Sequence, residues 1–154
     1  MATENVESLR RTNAAFNGGD ADALLELLAP DAEFQDLANA PDQSRAVKGR
    51  AAIHGVWSLW TAAFDEFRAD VDEYTDRGDV VICATHWQGE GKSSGISIDV
   101  HQFDLYEFCD GSLVRMILGF RSKDEALEAA GLSEQAIRSL GRERASARGD
   151  DARG

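Results

Sequence analysis

Two carboxylates occupy positions that suggest either an ion pair or a functional role. Asp104 falls in the middle of a predicted strand, between Phe103 and Leu105, where a charged side chain is unfavourable unless it is paired. Arg115, diagonal to Asp104 on the next predicted strand, could form a structural ion pair with it; the alternative is an acid that faces a ligand. Asp36 ends the first predicted strand, and it either faces a pocket or simply terminates that strand before a loop.

Aromatic and polar side chains near these acids supply candidate pocket walls. Trp57 and Trp60 lie on the apolar stripe of the longest predicted helix, where they form either core or a ligand platform. His86 and Trp87 are adjacent in a strand, so one of the two rings could face a pocket, but the alternation does not say which. The candidate ligand-binding residues are Trp57, Trp60, His86, Gln102, Tyr106, Phe108 and Arg115.

No spacing typical of a metal site is present in the sequence. His54, His86 and His101 are far apart along the chain, and Cys83 and Cys109 are isolated thiols. The sequence therefore predicts neither a metal nor a cofactor.

Composition favours a single acidic globular domain. The chain has 154 residues and a formal net charge of -12, which disfavours binding to nucleic acid or to an anionic membrane surface. Its longest apolar run, from Val80 to Ala84, is far shorter than the roughly 20 residues of a membrane helix. The first residues resemble no signal peptide, so we expect a cytoplasmic protein without a membrane partner.

The apolar period changes from helical to strand-like along the chain. A helix ending at Gly18-Gly19, a shorter one capped by Asp20 and a long one opening at Gly49 come first. A first strand at 31–36 precedes the long helix, and strands at 68–74, 79–88, 96–108 and 113–121 follow it. Asp110-Gly111 is typical of a tight hairpin turn. The pattern predicts an α+β fold in which an antiparallel sheet has helices on one face.

Several segments in this order resemble the nuclear transport factor 2-like superfamily, which includes ketosteroid isomerases, limonene-type epoxide hydrolases and SnoaL-like polyketide cyclases. Residues 17–24 and 28–34 resemble its opening, 49–53 the start of its third helix, 103–108 and 110–114 its fourth strand and hairpin, and 126–132 a SnoaL-like ending. We therefore expect a SnoaL-like domain over residues 1–132. A C-terminal helix and a disordered tail are predicted for 133–154.

The resemblance implies a curved sheet wrapped around helices, with a cone-shaped apolar pocket for a small apolar ligand, and a homodimer. It places Asp36 at the position of the ketosteroid isomerase general base and Asp104 at that of its oxyanion-side acid. In such a site one carboxylate stays ionised and removes a proton beside a carbonyl. The other is kept neutral by burial and donates a hydrogen bond to the enolate.

The chain departs from each known catalytic set of the superfamily. Thr12 stands near the position of the oxyanion tyrosine, residues 120–122 lack the terminal acid of the cyclases, and Gln102 precedes Asp104 where epoxide hydrolases carry arginine. The alternatives are an isomerase-like or cyclase-like enzyme, a non-catalytic small-molecule binding protein, and a dimeric interaction module.

Strand alternation gives an expectation for each face of the sheet. A two-residue turn at Asp110-Gly111 would pair Asp104 with Ile117 and place the polar residues of this hairpin toward the pocket. The opposite face would then be buried between the subunits of the homodimer. It carries Phe103, Leu105, Met116, Leu118 and Phe120. A register error of one residue would invert this assignment.

Overall fold

The computed structural model describes residues 4–20, 22–37, 46–92 and 95–132. The helices are α1 (Glu4–Asn17), α2 (Ala23–Leu27), α3 (Arg50–Ala63) and α4, helical over 123–132. The strands are β1 (Leu28–Asp36), β2 (Val47–Lys48), β3 (Phe64–Asp76), β4 (Val80–Gly91), β5 (Ser97–Cys109) and β6 (Ser112–Phe120). The helix and tail predicted for 133–154 lie outside the described residues. Within the described residues, no helix has the length and apolarity needed to cross a membrane.

One sheet joins all the strands in the order β2-β1-β6-β5-β4-β3. The predicted α+β class with a sheet packed on helices is confirmed. The sheet is mixed rather than wholly antiparallel, because β1 runs parallel to β6. The sequence pattern could not show this pairing, since the two strands come from opposite ends of the domain.

Helices α1 and α3 pack on one face of the sheet, which we call the inner face. Their buried residues include Phe16 from α1 and Trp57 from α3. Polar contacts fix α1 to β3, because Asn13 and Asn17 both donate to the carbonyl of Ala69, at 2.9 and 2.7 Å. The Ala69 amide donates in return to Asn17 Oδ1 at 2.9 Å. These contacts explain why asparagine occupies the sheet-facing side of an amphipathic helix.

Aromatic residues continue at helical spacing beyond the end of helix α3 at Ala63. Phe64 and Phe67 belong to β3, where an irregularity between Asp65 and Arg68 keeps both rings near the helix. The Trp60 ring stacks on Phe64 at 5.8 Å and on Phe67 at 6.3 Å. The sequence spacing of these rings is typical of a longer helix. The bulge in β3 instead keeps Phe64 and Phe67 on the side of Trp60.

Strand β6 contains two register shifts that the sequence analysis did not foresee. The turn at Asp110-Gly111 has positive φ at both residues, as the hairpin prediction requires. Beyond it, the pairing shifts between Glu107 and Phe108, so that Leu105 rather than Asp104 is opposite Ile117. The predicted pairing was therefore wrong by one residue.

The predicted dimer face is wrong as a result of this shift. Met116 and Leu118 are 1% and 6% exposed and lie in the inner core beneath α1 and α3. Leu105 and Phe120 are buried on the opposite, outer face, where Ala126 of α4 packs against them within one cluster. Helix α4 covers apolar surface that had been assigned to a second subunit.

We expect Ala126→Asp to lower the free energy of unfolding by about 3–5 kcal/mol, because it would bury a carboxylate without a partner. Ala126 is fully buried, whereas Ala52 on α3 is exposed, so Ala52→Asp is the matched control and should change the value by less than about 0.5 kcal/mol. Urea unfolding followed by circular dichroism measures both. Equal stability of the two variants would show that α4 does not seal the outer face.

Candidate functional site

A cavity of about 270 Å³ opens on the inner face of the sheet. Aromatic and aliphatic side chains form most of its wall, and the polar contributions include the Asp36 carboxylate and the Gln102 amide. Its lining residues are Phe34, Asp36, Trp57, Trp60, Phe67, Trp87, Ser97, Ile98, Asp99, Val100, Gln102 and Leu118. A small, mainly apolar concavity with a few polar groups is the usual form of a ligand site.

Contacts between aromatic rings hold the wall of this cavity together. The Trp87 ring packs on Phe67 with centroids 5.4 Å apart and on Trp57 edge-to-face at 5.9 Å. Phe16 of α1 supports both tryptophans from behind, at 5.5 Å from Trp57 and 6.2 Å from Trp87. Such ring pairs have preferred geometries, so the wall keeps its shape through interlocking rings from a helix and two strands.

Asp36 faces the cavity because of its register in the sheet. It ends β1 as the parallel partner of Leu118, and both residues line the cavity. The amide of Leu37 donates to the Leu118 carbonyl at 2.8 Å, which fixes the end of β1 against β6. Asp36 is therefore a partly buried carboxylate on an anchored strand end that lines the cavity.

Asp104 lies behind the wall and is not among the residues that line the cavity. It is 0% exposed, and its carboxylate accepts hydrogen bonds from Trp87 Nε1 at 2.9 Å, Gln102 Nε2 at 2.8 Å and the Gly119 amide at 3.1 Å. Gly119 has φ 97° at the second shift of β6, a conformation that suits glycine and leaves its N–H pointing at Asp104. Asp104 is a positioning residue for two side chains of the wall.

Burial raises the pKa of Asp104 to about 6, and the hydrogen bonds from Trp87, Gln102, Gly119 and Thr85 oppose that rise. Arg115 does not reach Asp104, because its Nε lies 3.0 Å from Glu107 Oε2 instead. Of the two interpretations of Asp104, the ion pair with Arg115 is therefore wrong. A mid-strand acid held by neutral donors, with a raised pKa, takes its place.

The two acids flank β6 on opposite sides. Asp36 is the partner of Leu118 from β1, while Asp104 of β5 is opposite 118–119. Because β6 lies between β1 and β5, the backbones of Asp36 and Asp104 are about 10 Å apart. The expectation that both carboxyls point into one cavity is corrected accordingly, because the Asp104 carboxylate is enclosed by Trp87, Gln102 and the Gly119 amide.

Other predicted ligand-binding residues lie away from the cavity. Phe108 is buried in the inner core, and Arg115 is engaged with Glu107. His86 points to the outer face, since its neighbour Trp87 takes the inner one. Tyr106 lines a separate void of about 40 Å³. The cavity retains Trp57, Trp60 and Gln102 from the predicted set, together with Asp36.

The void beside Tyr106 lies where the chain departs from the isomerase pattern. Thr12 of α1 lines it together with Trp57 and Trp87. Threonine is shorter than the tyrosine expected from the resemblance, so this position offers no phenol to the cavity.

Strand alternation could have revealed three lining residues that were not among the candidates, Phe34, Trp87 and Val100. Trp87, Val100 and Gln102 share the inner face because Trp87 and Val100 are register partners and Gln102 follows two residues later. Phe34 and Asp36 are related in the same way along β1. The contribution of Leu118 depends on the bulges of β6, which leave no clear signal in the sequence.

Comparison with known families agrees with this geometry. The model of the SnoaL-like domain matches residues 9–116, more than half of the chain. The chain belongs to the SnoaL-like domain family. No curated protein matches the sequence of this SnoaL-like domain.

Solved structures share the fold of this SnoaL-like domain at low sequence identity. A protein of ketosteroid isomerase-like fold from Catenulispora acidiphila, in complex with trimethylamine, is 20% identical with a TM-score of 0.64 and covers 78% of this chain and 87% of its own. A putative SnoaL-like polyketide cyclase from Jannaschia sp. CCS1 is 21% identical at TM-score 0.65, covering 76% and 85%. TerC, co-crystallised with polyporic acid, is 19% identical at TM-score 0.64, covering 77% and 92%.

We expect the Asp104 carboxyl to titrate near pH 6 in the folded SnoaL-like domain. Because this pKa is raised above its unfolded value, the folded state holds an extra proton between about pH 4 and pH 6. The contribution of Asp104 to stability therefore falls as pH rises through that window and is constant above it. Carbon-13 NMR of the carboxyl measures the midpoint, with exposed Asp31 as the internal reference. A midpoint near 4 would contradict the burial argument.

Proposed function

We propose that the protein is an acid–base enzyme of the isomerase or cyclase type that acts on a small apolar molecule, with Asp36 as the general base. One observation carries the proposal: a carboxylate lines an otherwise largely aromatic cavity of about 270 Å³. An apolar surrounding with few waters makes a carboxylate a more effective proton acceptor than it is in bulk water.

The cavity size limits the substrate. Its volume lies just below the roughly 300–1,000 Å³ of typical small-molecule sites. The faces of Trp57, Trp60 and Trp87 suit a flat or cyclic apolar body, and Asp36 would then lie beside an acidic C–H group of the bound molecule. The names of two relatives support this class, since one is a putative SnoaL-like polyketide cyclase and another was co-crystallised with polyporic acid.

Stabilisation of the enolate falls to Gln102 in this proposal. Trp87 Nε1 has a single N–H, and it already donates to Asp104. The amide nitrogen of Gln102 carries two N–H groups, of which Asp104 requires one. The second is the donor that we assign to the developing oxyanion. Asp104 thus acts through Gln102 and touches no substrate.

Asp36→Asn should slow proton abstraction strongly while leaving the cavity intact. The assay is deuterium incorporation from D₂O at the carbon beside the carbonyl in a panel of small cyclic and aryl ketones, followed by proton NMR. We expect a loss of about 10²–10⁴-fold, the usual contribution of a general base. Asp31→Asn, an exposed substitution on the same strand, is the control and should exchange at the unmodified rate. Exchange that is equal in both variants would overturn the assignment of Asp36.

A second candidate is a non-catalytic protein that binds a small amine. The negative charge of the cavity lining favours it. The lining includes Asp36 and no Lys, Arg or His, and aromatic faces attract cations. The relative in complex with trimethylamine supports this class. Trimethylamine that quenches tryptophan fluorescence in the unmodified chain and not in Asp36→Asn, without any ketone exchange, would favour the binding protein over the enzyme.

The assembly and location of the protein stay predictions. We propose a homodimer whose interface does not include Leu105 and Phe120, because Ala126 of α4 packs in one cluster with these two residues. Sedimentation equilibrium at micromolar concentration tests this, and a monomer would refute it. The net charge of -12 supports a protein without a nucleic-acid partner, and a cytoplasmic location accords with the predictions made from the sequence.

A further inference from the structure

Two stacked histidines lie on the outer face of the sheet, away from the cavity. His86 of β4 is the register partner of His101 of β5, with ring centroids 3.9 Å apart and planes inclined by 15°. Asp99 lies two residues before His101, and its Oδ1 is 2.5 Å from His86 Nε2. One donor atom from each side chain lies within 4.8 Å of the other two, an arrangement found at this one place among the described residues.

We propose that His86, Asp99 and His101 bind a divalent transition-metal ion such as Zn²⁺. Two imidazole nitrogens and a carboxylate oxygen are a common ligand set, and a water would complete a tetrahedron. Ligand bonds of about 2.0–2.2 Å place the donors of a tetrahedral ion about 3.3 Å apart. Asp99 and His101 are exposed, so small side-chain rotations reach that spacing.

Two carboxylates lie close to the histidines, of which Asp99 contacts His86 and Asp70 is already paired with Arg68. Asp70 of β3 is the register partner of His86 on its other side, so His86 lies between two carboxylates. Asp70 accepts hydrogen bonds from Arg68 at 2.7 Å and Gln88 at 2.9 Å. The Arg68 hydrogen bond is the main cause that lowers the pKa of Asp70. A carboxylate near a ligating histidine is a frequent outer partner in metal sites.

The bound ion would connect the two strands behind the cavity wall. Trp87 follows His86, and Val100 lies between Asp99 and His101. Trp87 and Val100 are register partners, and both line the cavity on the other face. An ion that bridges β4 and β5 here would therefore stabilise the folded chain and restrain this part of the wall.

Isothermal titration with ZnCl₂ tests the site on the full chain without affinity-tag histidines, in a Cys109→Ser background that removes an exposed thiol. We expect saturable binding of one ion per chain. His101→Ala and Asp99→Asn, both at exposed positions, should each weaken it by at least about tenfold. His54→Ala is the matched control: His54 is an exposed histidine of α3 beside Asp22 at 3.6 Å, and its loss should change nothing.

Thermal unfolding gives an independent readout. Zn²⁺ should raise the unfolding midpoint of the unmodified chain and of His54→Ala, but not that of His101→Ala. The proposal is overturned by the absence of saturable binding, by unmodified affinity in both His101→Ala and Asp99→Asn, or by equal weakening in His54→Ala. Circular dichroism of each variant confirms that the fold is retained.

Discussion

The carboxylate of Asp104, enclosed in the sheet, determines how the cavity wall is arranged. Water is excluded from it, so its charge depends on the donors that surround it: the Trp87 indole, the Gln102 amide and the Gly119 backbone amide. Removing a buried acceptor leaves each donor unsatisfied. Asp104 therefore orients both the Trp87 ring, which closes one side of the cavity, and the Gln102 amide, which faces its interior. A ligand in the cavity does not touch Asp104 itself.

This requirement also accounts for the irregular shape of β6. A regular strand would direct its N–H groups to the neighbouring strands, and none would be available for a side chain. The shift at 118–119, which places Gly119 at positive φ, turns one amide toward Asp104. The same segment pairs through Leu118 with Asp36. One bulge thus links the buried acid, the cavity-facing acid and the strand between them.

Residues whose placement follows from periodicity could be predicted from the sequence. Helical spacing made Trp57 and Trp60 candidates for the core or for a pocket wall, and the family resemblance made Asp36, at a strand end, a candidate for the pocket. Asp104 stood out as a mid-strand acid, where a charged side chain is unfavourable unless it is paired. Apart from the resemblance, these inferences needed only local patterns and the energetic penalty for burying a charge.

Features that depend on register or on distant pairing could not be predicted. Alternation assigned Leu105 and Leu118 to one face, but the bulges in β6 leave Leu105 on the outer face and place Leu118 on the inner one, since a shift of one residue inverts every side chain beyond it. The alanines of α4 gave too weak an apolar signal to identify that helix as the cover of the outer face. His86 and His101 are distant in sequence, and only the pairing of β4 with β5 brings their rings together.

Hydrogen–deuterium exchange of the tryptophan indole protons tests most directly whether Asp104 positions the cavity wall. The Trp87 N–H, buried and bonded to Asp104, should exchange much more slowly than that of the partly exposed Trp60. In Asp104→Ala we expect the Trp87 proton to exchange at least about tenfold faster while Trp60 is unchanged. Exchange of Trp87 as fast as Trp60 in the unmodified protein, or unaltered by Asp104→Ala, would contradict the account.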